Sequence, residues 1–157
     1  MFRIGEPRVA ARIMWVLLAL FVLRVLGQAA VAVFKVPYLP PMEEWYSGIL
    51  PYPILLPVQF ALIAVMAWVA INLEQQRGIF FEPRPVSRGA VWFGYIYAAA
   101  MVVRYVVQMA LYPDRRWFGG TIPIAFHLVL AAFVIVFGLH HRRRRVDTRR
   151  SGSRLAA

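Results

Sequence analysis

Residues 122–139 read IPIAFHLVLAAFVIVFGL and run directly into His140-His141-Arg142-Arg143-Arg144-Arg145. Eighteen residues pass without an Asp, Glu, Lys or Arg. At about 1.5 Å per residue such a run approaches the roughly 30 Å hydrocarbon thickness of a bilayer. Inside hydrocarbon the segment has to be helical, because every backbone N–H and C=O must find its partner within it. The arginines that follow have the character of a stop-transfer signal, and Arg142, Arg143, Arg144 and Arg145 are candidate anchors on anionic headgroups.

Three more apolar stretches reach the same length, two of them broken by a single arginine, Arg24 or Arg104, so the spans are placed at Ile13–Val33, Ile54–Leu73, Val91–Ala110 and Ile122–Leu139. Between them stand helix-ending residues: Pro37, Pro40 and Pro41, then Gly78, Pro83 and Pro85, then Pro113, Gly119 and Gly120. Thr121 is placed to cap the fourth helix, with Pro123 in its first turn, where a missing N–H costs nothing. Pro57 falls inside the second span and predicts a kink or a late start. With 61% hydrophobic residues the chain is far more apolar than a globular domain. The expected fold is all-α, an integral membrane four-helix bundle over residues 1–141, with a basic tail over 142–157 expected to be disordered.

The net charge of +11 would suggest a nucleic-acid partner if it were spread over a folded surface. It is not spread. Arg3, Arg8 and Arg12, then Arg77, Arg84 and Arg88, then the seven arginines from Arg142 onward all fall on one side of the bundle, thirteen basic residues in all. Lys35, Arg115 and Arg116 fall on the other side, which predicts both termini in the cytoplasm, across an inner or plasma membrane. Arginine outnumbers lysine seventeen to one, a bias compatible with a GC-rich bacterial genome. A rival reading takes residues 1–32 as a cleaved signal peptide ending in Ala30-Val31-Ala32. Arg24, which follows the apolar run, argues against it. The absence of cysteine excludes disulfides, thiolate metal sites and a cysteine nucleophile.

A weak self-similarity links the two halves. Arg24 and Gln28 in the first span match Arg104 and Gln108 in the third, and Pro57-Val58-Gln59-Phe60 matches Pro123-Ile124-Ala125-Phe126. The bundle is therefore a possible parallel duplication of a two-helix hairpin.

Arginine deep in a bilayer is costly, which makes Arg24 and Arg104 the first candidates for a site. Helical spacing puts Gln28 beside Arg24, and Tyr97 and Gln108 on the face of Arg104, while His127 is the only histidine well inside a span. Three readings compete for the arginines: structural donors to carbonyls and amides, partners of Glu43 or Glu44 on a loop dipping into the bundle, or forks for an anionic ligand. His127 lies about 20 Å from His140 and His141 along the helix, so a bis-histidine haem within one chain is excluded. No metal or cofactor is expected.

No catalytic triad, phosphate-cradling loop or paired metal ligands appear, and an enzyme is the less favoured reading. The first functional reading is an accessory or assembly subunit of a larger membrane complex. The second is a transporter or lipid- or anion-binding protein with a mid-membrane site of Arg24, Gln28, Tyr97, Arg104, Gln108 and His127. The third is an enzyme acting on a lipid-soluble substrate with His127 as base. Expected partners are membrane lipids, anionic on the cytoplasmic face, and another protein or a second copy. Nucleic acid is not expected.

Overall fold

The computed structural model describes residues 6–45, 51–82, 87–112 and 121–155. Within them the chain forms helices α1 (Pro7–Phe34), α2 (Met42–Trp45), α3 (Tyr52–Glu74), α4 (Ser87–Leu111) and α5 (Thr121–Leu155). All except the single-turn α2 are long and apolar enough to cross a membrane.

Each long helix overruns the apolar run that marks it, because hydropathy locates the crossing and local chemistry locates the ends. Pro7 and Pro53 supply the preset φ of a first turn. α1 stops where Lys35 turns left-handed (φ 48°) and its N–H closes on the Val31 carbonyl at 3.1 Å. α3 passes through Pro57, which leaves the Pro53 carbonyl without its helical donor. The longest overrun is at α5, which continues through the arginines to Leu155. Arginine is a good helix former, and basic residues near a helix C-terminus complement its dipole.

The four long helices stand in the packing order α3, α1, α5, α4. Trp15 near the start of α1 donates to Glu74 at the end of α3 (2.9 Å), so this pair is antiparallel. Gly94 and Gly138 make the α4–α5 seam. A Cβ at Gly138 would lie 2.9 Å from the Val91 nitrogen and 3.0 Å from the Ser87 carbonyl oxygen. One at Gly94 would lie 3.2 Å from the Ala131 carbonyl oxygen, so the two backbones nearly touch. The start of α1, the end of α3, the start of α4 and the later part of α5 thus lie at one end, where Arg8, Arg12, Arg77, Arg88 and Arg142 also fall.

Among the described residues, α3 makes no close backbone approach to α4 or α5, and a cleft runs between them. The loop after α3 folds under it. Asn72 shapes that loop, donating to the Trp68 carbonyl and accepting from the Phe80 N–H, while Gly78 takes φ 90° against the Asn72 side chain. Phe80 then packs edge-on to Trp68 and Phe137.

Polarity is inverted relative to a water-soluble bundle. Arg24, Gln28, Gln59, Asn72, His140 and His141 are buried, whereas Leu23, Leu26, Trp92, Ile96, Val102 and Val103 are exposed. Apolar residues outward and amides inward is the arrangement that lipid rewards.

Candidate functional site

Arg24 reaches the site from the middle of α1 and is only 8% exposed. Its Nη1 donates to Gln28 Oε1 at 2.6 Å and its Nη2 to the Trp45 carbonyl oxygen at 2.8 Å. Gln59 of α3 also donates to Gln28 Oε1, at 3.0 Å, so one amide oxygen ties α1 to α3 and holds the guanidinium in place. Phe126 of α5 lies against the other side, its ring centre 5.9 Å from the Arg24 Cζ.

The Trp45 carbonyl is delivered by a loop that folds back into the bundle. α2 packs against both α1 and α5, with the Trp45 ring over Gly27 and its Nε1 donating to the Pro40 carbonyl at 2.9 Å. Gly27 is needed here, since a Cβ would lie 2.6 Å from the indole. The ion-pair candidates Glu43 and Glu44 lie outside the described side chains. What the loop presents to Arg24 is a backbone oxygen.

Tyr97 of α4 and His127 of α5 face each other across the adjoining wall, with the phenol oxygen 2.6 Å from Nδ1. Phe93 stacks on Tyr97 one turn away. Together Arg24, Gln59, Tyr97 and His127 form the polar end of a cavity of about 480 Å³ whose other walls are Phe21, Leu55, Val58, Leu62, Phe93, Pro123, Phe126, Leu130 and Val134. A second, almost wholly apolar hollow of about 490 Å³ shares Leu62, Phe93, Leu130 and Val134 with it and runs down the α3–α4 cleft to Phe80 and Phe137. The size of each is that of a small-molecule site.

The candidate residues from the sequence are thus divided. Arg24, Tyr97 and His127 line the cavity, and Gln28 stands behind Arg24. Arg104 and Gln108 are half-buried on α4 and not on the cavity wall, because α4 is separated from α1 by α5. Arg104 lies seven residues after Tyr97, on the same face of α4. It has no hydrogen-bond partner among the described residues.

Two residues outside the candidate set complete the site. Gln59 was visible as one of two amides in the second span, beside Asn72, and Trp45, in the loop after the first span, carried no signal for a site. His140 and His141, quoted with the basic run in the sequence, are fully buried, His141 edge-on to Phe137 and His140 tilted against Phe81. Arg142 is exposed and Arg143 partly so, while Arg144 and Arg145 lie outside the described side chains. Comparison with known families, curated proteins and solved structures finds no match to this chain, so the geometry alone carries the functional reading.

Proposed function

We propose that this protein binds, and carries or presents, an amphipathic molecule taken from within the bilayer. The observation that carries the reading is a pair of adjoining hollows that share Leu62, Phe93, Leu130 and Val134: one almost wholly apolar in the α3–α4 cleft, the other polar at one end through Arg24, Gln59, Tyr97 and His127. A polar constellation in the middle of a helical membrane bundle is the usual place of a substrate or ligand contact. The arrangement supports binding more than catalysis, since the Tyr97–His127 pair has no nucleophile beside it among the described residues and Arg24 is held in place by Gln28 and the Trp45 carbonyl with donors to spare for a ligand.

The test is native mass spectrometry of gently extracted protein, wild type beside Leu62→Trp, whose indole fills the waist shared by the two hollows. Wild type retains an amphiphile and the variant loses it by about tenfold or more. Equal retention in both excludes this cleft as the binding place.

A second reading, an accessory subunit, is favoured by α4. Among the long helices α4 packs on α5 alone and leaves Trp92, Tyr95, Ile96, Val102, Val103 and Val106 outward. A protein partner surviving gentle extraction would support it. In both readings the arginine-rich end faces the cytoplasm of a bacterial cell. Reporter fusions after Arg12, Lys35, Arg84, Arg116 and Arg145 test this, and a cytoplasmic signal at Lys35 or Arg116 reverses it.

A further inference from the structure

The polar end of the cavity is biased towards donors. A guanidinium carries five N–H donors. The two hydrogen bonds described for Arg24 run to an amide oxygen and a backbone carbonyl, so its partners there are neutral and most of its donors remain uncommitted, Nε among them. The Tyr97–His127 pair adds another donor in either tautomer. If the phenol donates to Nδ1, the imidazole proton resides on Nε2; if Nδ1–H donates to the phenol oxygen, the phenol O–H is free to donate onward.

Charge then narrows the class. Arg24 is the one charged side chain on the described cavity wall, so a single negative charge balances it. A phosphate monoester carries about −1.5 to −2 at neutral pH and would leave an excess buried in hydrocarbon. A carboxylate matches the charge and accepts two parallel N–H bonds from one guanidinium.

The apolar part sets the tail. From Gln59 to Val69 on α3, and from His127 to Phe137 on α5, the hollow extends ten residues, about 15 Å at 1.5 Å per residue. That is half of a roughly 30 Å hydrocarbon core, the depth occupied by the chain of one leaflet. We infer that the ligand is a single-chain carboxylic acid of membrane-lipid length, its head on Arg24 and its tail in the α3–α4 cleft towards Phe80 and Phe137. This inference rests on the binding role proposed above.

The experiment titrates delipidated full-length protein in detergent with hexadecanoate, hexadecyl phosphate and hexadecanol, read by native mass spectrometry. The acid binds most tightly, the alcohol about tenfold or more weakly, and the phosphate monoester more weakly than the acid. In Arg24→Gln the acid falls to the level of the alcohol, while retained alcohol binding shows that the cavity is still folded. If that variant does not fold, the wild-type ranking decides alone. Equal binding of acid and alcohol overturns the acidic head and leaves the binding role standing. Tighter binding of the phosphate overturns the carboxylate in favour of a phosphate head. Binding of none of the three removes the binding role itself.

Discussion

The two seams that join the halves of this bundle are built oppositely. A two-fold repeat of the α1–α3 and α4–α5 hairpins would place α3 against α4 just as it places α1 against α5. Instead α1 and α5 pack closely, sealed by Arg24 on Phe126 and by α2 wedged beside them, whereas α3 and α4 stand apart around the cleft. Close packing needs small or complementary residues at the contact, and the cleft is lined by large ones, Leu62, Phe93 and Phe133 among them. The difference teaches that the cavity lies at the seam where the contacts such a repeat would require are missing.

The sharpest way to break this contrast is to disturb a closed contact. Gly138→Ala sets a methyl against the backbone of Val91 and Ser87, which cannot yield as a side chain can, and is expected to cost about 1–3 kcal/mol in denaturant titrations of micellar protein. Gly89→Ala is the control: nothing lies within 4 Å of that position, so the change is neutral or stabilising by up to about 1 kcal/mol. Equal stability of the two variants would show that α4 and α5 do not meet through their backbones.

The matched arginines come next. Arg24→Gln loses two buried charge-assisted hydrogen bonds and releases the Trp45 carbonyl, an expected loss of about 1–3 kcal/mol. Arg104→Gln, with no hydrogen bond among the described residues to lose, should stay within about 0.5 kcal/mol. The reverse ranking would place the structural arginine on α4. At the open seam the expectation is opposite to that at Gly138. Leu62→Trp enters free space and should change stability by less than about 1 kcal/mol while removing ligand, so a large destabilisation would mean that the cleft is closed in solution.

The smallest effect belongs to the rim of the α1–α3 hairpin. Trp15→Phe removes an exposed hydrogen bond to Glu74 and is expected to cost about 0.5 kcal/mol. A much larger cost would make that contact, rather than the Gln28–Gln59 bond, the main tie between the two helices.

Much of the architecture was legible from the chain because the bilayer leaves it little choice. Four apolar runs of sufficient length, punctuated by proline and glycine, specify four helices wherever hydrocarbon forbids unpaired backbone groups. The same physics marked Arg24 and His127 as residues requiring an explanation. Periodicity along uniformly apolar helices says little about which face meets which neighbour, and so the division between Arg24 and Arg104 was hidden. Both have a glutamine one turn on, and local sequence does not separate them.

The helix count, the segregation of arginine and the need to shelter a guanidinium were determined by the sequence alone, since each follows from transfer free energies that act residue by residue. The order α3, α1, α5, α4, the return of the Trp45 carbonyl to Arg24, and the cleft that joins Gln59 to Tyr97 and His127 were decided only in the tertiary structure. They depend on how side chains from distant segments fill or fail to fill the space between helices. Lipid, as apolar as the helices themselves, leaves that choice to packing.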